Sequence, residues 1–321
     1  MTKVPVINGA PASGGGILHS IVRGKAIAKV LASRTPAETI VFGAVFVKAT
    51  PEAYVKLVFD MGRLRRLPGY LGVGQFHDPP TLSDLEGFVL EPDDIRSLKA
   101  CRPGKCGVQL PAQAIRKLQE VLDWSGPNLA TQVNDRVQRM ALDVLMRYQK
   151  DGNRVLPTYY DKDTLFDVDA QLQSVLVRSE ALPVYLPELS RYLLDYPNVA
   201  PANVESLFYW ERVNFGMKPT LRLNHAIAYR SAGPRGAAQV VAVKQLYASH
   251  YFQLALDLSV CVTENGRTSD TGFYLISLRG STQQGFTGLM GSLLKRIVVS
   301  RTRSAQEKAL AGIKQVLEEK Q

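Results

Sequence analysis

The chain has 321 residues, 45% of them hydrophobic and 21% charged, with a formal net charge of +10 and an isoelectric point near 9.5. That apolar fraction supports a sizeable core and excludes a disordered chain, and no run approaches the ~18 uninterrupted apolar residues of a membrane-spanning helix. The basic balance suits an anionic membrane surface or an acidic ligand better than nucleic acid, because no helix-turn-helix, zinc-finger or RNP-like signature accompanies it.

Residues 1–16 are rich in Gly, Pro, Ser and Ala and read as a flexible arm; Val4 to Ala12 is too broken by proline to serve as the apolar stretch of a secretory leader. From Ile17 to Ala32, Ile17, Leu18, Ile21, Ala28 and Leu31 alternate with Arg23, Lys25 and Lys29, the pattern of a basic amphipathic helix that either covers a core or lies on a membrane surface. Together these define an N-terminal region over 1–36. Thr39 to Thr50 is rich in strand formers, and Pro51 then opens a helix whose apolar side is Tyr54, Val55, Val58, Phe59 and Met61, with Arg63, Arg65 and Arg66 at its end. A strand follows at Tyr70 to Phe76, where Gly72 and Gly74 share a face and imply either a bend or a close backbone approach. Leu85 to Leu90 reads as a further short strand, and Glu91, Asp93 and Asp94 as the electronegative first turn of a short helix.

Cys101 and Cys106 flank Arg102, Pro103, Gly104 and Lys105, a Pro-Gly sequence suited to a type II turn that brings the two sulfurs within bonding reach. A disulfide there implies an oxidising compartment and hence export; two reduced cysteines leave the chain cytoplasmic as written. From Pro111 to Pro197 the periodicity is helical, with stripes at Ile115, Leu118, Val121 and Leu122, then Leu129, Val133, Val137, Met140 and Val144, then two shorter helices. In the last third the period drops to two. Leu221, Leu223, His225, Ile227 and Tyr229 form one strand face, Val241, Val243 and Tyr247 a second, Phe252, Leu254, Leu256, Leu258, Val260 and Val262 a third, and Tyr274, Ile276 and Leu278 a fourth. Turn residues at Ser231 to Gly236 and at Glu264 to Gly272 join them into an antiparallel meander. After Gly288, Leu289, Leu293 and Ile297 with Met290, Leu294 and Val298 give an apolar helical stripe, interrupted at Ser300 to Ser304 and resumed at Ala309, Ile313, Val316 and Leu317. It is either one helix with a polar waist or two with a break at a Ser304–Glu307 capping box. Its stripe is expected to cover the apolar row of the third strand.

The order strand, helix, strand, then meander and long final helix resembles the START-like, or SRPBCC, helix-grip superfamily. The resemblance implies an α+β fold, a curved antiparallel sheet packed on the C-terminal helix, in a domain over 37–321 with a helical insertion at 111–200; the competing reading makes those helices an independent domain. It also implies an apolar cavity between sheet and helix, and binding or transfer of lipids or other hydrophobic molecules, with cyclisation or hydrolysis in some members.

For such a cavity the candidate ligand-binding residues are His225, Tyr229, Tyr247, His250, Tyr251 and Trp210, with Leu289 and Leu293 from the helix. Three functions follow: a non-enzymatic carrier; an enzyme using His225 or His250 as base with a tyrosine donor, since histidine titrates near neutrality; or an interaction protein with a filled core. Against His225 as a base stands the commoner role of a hydrogen-bonded core histidine. No G-x-S-x-G elbow, Walker lysine, dinucleotide fingerprint or metal-ligand spacing is present, so no cofactor and no metal is implied.

Overall fold

The structure, a computed structural model, describes residues 21, 24–33, 35–179, 181–233, 236–263, 272–283 and 288–319, with the backbone alone at 181, 232–233, 236–237 and 288–294. The expected arm, the start of the expected basic helix and the turn at 264–271 lie outside the described residues. Eight strands form one sheet: β1 (Ile27–Leu31), β2 (Glu38–Val47), β3 (Tyr70–Gln75), β6 (Val204–Val213), β7 (Thr220–Gly233), β8 (Gly236–Ala248), β9 (Leu254–Val262) and β10 (Phe273–Thr282). Their order is β1-β2-β10-β9-β8-β7-β6-β3, and every pairing is antiparallel. A second, two-stranded sheet joins β4 (Thr158–Tyr159) to β5 (Phe166–Asp167).

Two local expectations are corrected. Ile27–Leu31 is not the end of a helix but the edge strand β1, its residues paired from Ile27↔Ala44 to Leu31↔Ile40. The β-branched Ile27 and Val30 fit a pleated surface, and sheet pairing outweighs the helical spacing. Leu85 to Leu90 contributes no strand. Leu82–Leu85 is instead a 3-10 turn held by the Asp84 carboxylate, which accepts from Thr81 N at 2.7 Å and from His77 N at 3.2 Å.

Helix α1 (Pro51–Phe59) starts where Pro51 sets the first turn and the Thr50 hydroxyl accepts from Ala53 N at 3.2 Å. Asp60 ends it and caps α2 (Met61–Leu64) by accepting from Arg63 N. Between β3 and β6 lie α3 (Pro92–Leu98), α4 (Ala112–Val121), α5 (Leu129–Asp151), α6 (Val168–Val177), α7 (Ala181–Tyr185) and α8 (Pro187–Asp195). Helix α5 buries Val133, Val137, Ala141, Leu145 and Tyr148, a stripe at helical spacing. The final helix, α9 (Gly288–Glu318), runs unbroken through Ser300 to Ser304.

The two faces of the sheet are covered by different partners. Leu221, Leu223, Ile227, Val240, Ala242, Leu254 and Leu256 belong to one core with Val133, Leu145, Leu172 and Leu193 of the insertion. The apolar row of β9 therefore meets the insertion and not, as its periodicity suggested, the final helix. Burying a row of such side chains contributes roughly 1.5–3 kcal/mol for each one fully removed from water. Helix α9 lies on the opposite face, where Leu310 and Leu317 join Val45, Val47, Val241, Cys261, Phe273 and Leu275. It comes closest at β2. A Cβ on Gly43 would stand 2.6 Å from Leu310 Cδ1 and 2.8 Å from Gln306 Nε2, so glycine permits the contact.

A charged cavity between the sheet and the final helix

Helix α9 packs on β1 and β2 at one edge of the sheet, while α1 and α2 lie against β3, β7 and β8 toward the other. The space left between them is a cavity of about 520 Å3, bounded by the sheet, by Leu57, Leu64 and Leu67, and by Arg301, Ala305, Lys308 and Ile313 of α9. Its size falls in the range of small-molecule sites.

The sheet wall of this cavity is the face turned away from the insertion, and it carries buried charge. Glu211 of β6 and Arg222 of β7 are directly opposed across the strand pair, and the Arg222 Nη1 donates to Glu211 Oε1 at 2.8 Å. The Arg222 Nε donates to Gln245 Oε1 at 3.1 Å. Two strands on, Asp257 of β9 opposes Arg279 of β10, with Nε and Oδ2 3.8 Å apart. Ser259 and Ser277 face each other beside that pair, and Tyr54, Tyr70 and Tyr209 bring three phenols to the wall. Burial pushes the Glu211 carboxyl up, against the pull of Arg222. Burial opposes the charge on Arg222 too, yet Glu211 and Asp257 hold it above the usual guanidinium value. Burial raises Tyr54, Tyr70 and Tyr209, so all three remain hydrogen-bonding neutral phenols. Burying such a set is costly for the fold, so a cavity wall of this kind points to a site.

None of His225, Tyr229, Tyr247, His250, Tyr251 and Trp210 lines this cavity, and the side chains of Leu289 and Leu293 lie outside the described residues. The correction follows from the face exchange: His225, Tyr229, Tyr247 and Trp210 share the row that meets the insertion. His225 is fully buried, stacked on Phe208 with ring centroids 4.5 Å apart, and its Nδ1 is 3.2 Å from the Tyr148 hydroxyl. Burial, then the nearby Lys244, hold it well below its usual value, and it stays neutral. A histidine and a tyrosine do meet, as a base and a donor would, but in packed core. The Tyr229 hydroxyl donates to Glu188 at 2.8 Å. Trp210 lies over Gly72 and Gly74 and donates from Nε1 to Asp84 O at 2.7 Å, so the two glycines do mark a close approach. His250 Nε2 is 2.8 Å from Asp94, which also takes Lys218 Nζ. Asp94 sits in the first turn of α3 as expected, and its carboxylate is buried there as the centre of an ion pair with Lys218 and His250. The Tyr251 hydroxyl accepts from Lys218 N at 3.1 Å.

No family model matches the sequence, and no curated protein matches it.

The sequence also passed over Lys244. It lies on the insertion side of β8 with no exposed surface, its Nζ donating to Asn153 Oδ1 at 2.8 Å and standing 4.9 Å and 5.5 Å from the ring centroids of Tyr148 and Tyr196. Burial lowers its pKa to about 7. Its position in a period-two strand was the available signal, since it shares a face with Val240, Ala242 and Leu246. Cys101 and Cys106 are joined in a disulfide across the 102–105 turn, where Gly104 has φ +84° and Arg102 and Lys105 exchange backbone hydrogen bonds. That positive φ at the third turn position is what a type II turn requires. Among the described residues no helix is long and apolar enough to cross a membrane.

Proposed function

We propose that this chain binds and carries a hydrophobic or amphipathic small molecule in the cavity between its sheet and α9. The single observation that carries the reading is the ~520 Å3 space itself, walled by Leu57, Leu64, Leu67, Val241 and Val243 on one part and by charged and phenolic groups on another. The order of strand, helix pair, strand, meander and long final helix supports membership of the START-like superfamily, whose members use a cavity in this place. An enzyme of the same cavity, the second reading, loses His225 and His250 as its base and rests on Glu211, the buried carboxyl whose proton affinity is raised. The Cys101–Cys106 disulfide supports an exported location. Arg301 and Lys308 at the cavity, with exposed Arg65 and Arg66 just before it, support docking on an anionic membrane surface.

Native mass spectrometry of the purified chain, followed by organic extraction, tests the carrier reading. A stoichiometric hydrophobic adduct is the expected result. A bare mass, together with no binding of fluorescent lipid probes, overturns it.

A further inference from the structure

We infer that the ligand is anionic, and that the cavity is built for a long-chain carboxylic acid whose carboxylate is received by Arg279. The inference rests on the carrier reading and deepens it. The wall holds four cations, Arg222, Arg279, Arg301 and Lys308, against two carboxylates, Glu211 and Asp257. Glu211 is taken up by Arg222 at 2.8 Å. Asp257 stands 3.8 Å from Arg279 Nε, beyond hydrogen-bonding distance, and that buried Nε has no hydrogen-bond partner among the described residues. That N–H leaves the guanidinium under-satisfied, and the Arg279 side chain, 28% exposed and part of the cavity lining, is the group placed to meet an anionic oxygen, because charge-assisted bonds to arginine are among the strongest available. Arg301 and Lys308 form no ion pair among the described residues, and with Ala305 they lie at i, i+4 and i+7 on the face of α9 that lines the cavity. The excess is positive. The rest of the lining, Leu57, Val58, Leu64, Leu67, Val243 and Ile313, supplies the surface for an alkyl chain.

Fluorescence titration of the full chain with cis-parinaric acid and with its methyl ester separates the parts of this argument. The acid is expected to bind at least about tenfold more tightly than the ester, the scale of one hydrogen bond to a charged group. In Arg279→Met the acid should fall to the affinity of the ester, while the ester changes by no more than roughly twofold. Equal affinity of acid and ester for the wild-type chain overturns the anionic head and leaves the cavity reading standing. Retention of the full acid preference in Arg279→Met overturns the role of Arg279. Failure of both probes to bind removes the carrier reading as well. The wild-type comparison needs no variant, so it decides the charge question even where Arg279→Met does not fold; Arg279→Lys, which keeps the charge but loses the Nε donor, should then show an intermediate preference.

Discussion

Replacing Lys244 by methionine should stabilise the protein at neutral pH. The amine is fully buried, and its folded pKa of about 7 lies 3.5 units below the ordinary 10.5 (10.5 − 7). At 1.36 kcal/mol per unit that difference is roughly 5 kcal/mol of destabilisation. The groups around it are Asn153, the Leu193 carbonyl, Tyr148, Tyr196 and neutral His225, and the one carboxylate acting on it, Asp169, does so only at a distance. Methionine fills the same unbranched volume but leaves Asn153 Oδ1 without its donor, a loss of about 1–3 kcal/mol. The net gain should be about 2–4 kcal/mol at pH 7. The sign with pH follows from proton binding. Between pH 7 and 10.5 the unfolded chain holds a proton on Lys244 that the folded chain has released, so wild-type stability rises with pH through that window. Below pH 7 the full penalty is present. Denaturant unfolding of both proteins at pH 7 and at pH 9 measures it: the advantage of Lys244→Met should shrink by roughly 2–3 kcal/mol on going to the higher pH. A variant less stable than wild type at pH 7, with a difference that does not change with pH, would show that the aromatic rings and Asn153 hold a charged amine at no net cost, and would refute the reasoning.

Three further outcomes can be measured. Gly74→Ala should cost about 1–3 kcal/mol, because the added Cβ would lie 2.3 Å from Trp210 Nε1 and an indole ring has no flexible end to withdraw; thermal unfolding followed by tryptophan fluorescence reads it, and an unchanged midpoint would contradict the packing. Arg222→Met should cost roughly 3–5 kcal/mol by stranding the buried Glu211, and the double variant Glu211→Gln with Arg222→Met should recover most of that in chemical denaturation. Intact mass under non-reducing conditions should be two hydrogens below the fully reduced value, and reducing the Cys101–Cys106 bond should cost only about 2 kcal/mol, because the loop it closes is short.

Much of the secondary structure was legible from local pattern. Pro51 announced α1, glycine and proline marked the 102–105 turn, and alternation located β7 to β10, although β7, β8 and β10 run several residues beyond the stretch it marked. These features depend on neighbours a few positions apart, and short-range backbone geometry is enough to specify them. The sequence alone also drew an apolar row along each of these strands, in β9 through Leu254, Leu256 and Leu258. What covers each row was decided only in three dimensions. The sheet is covered on both faces, so the most apolar row, which looked like the lining of a pocket, is packed solid against the insertion. The opposite face became the cavity wall, with Val241 and Val243 from a row that the sequence showed as apolar, and its charges are intelligible only as cross-strand pairs, Glu211 with Arg222 and Asp257 with Arg279. Alternation records that a strand has two environments. It does not record which distant segment supplies them, because that depends on contacts between residues as far apart as Asn153 and Lys244, or Gly43 and Leu310, which no local period encodes.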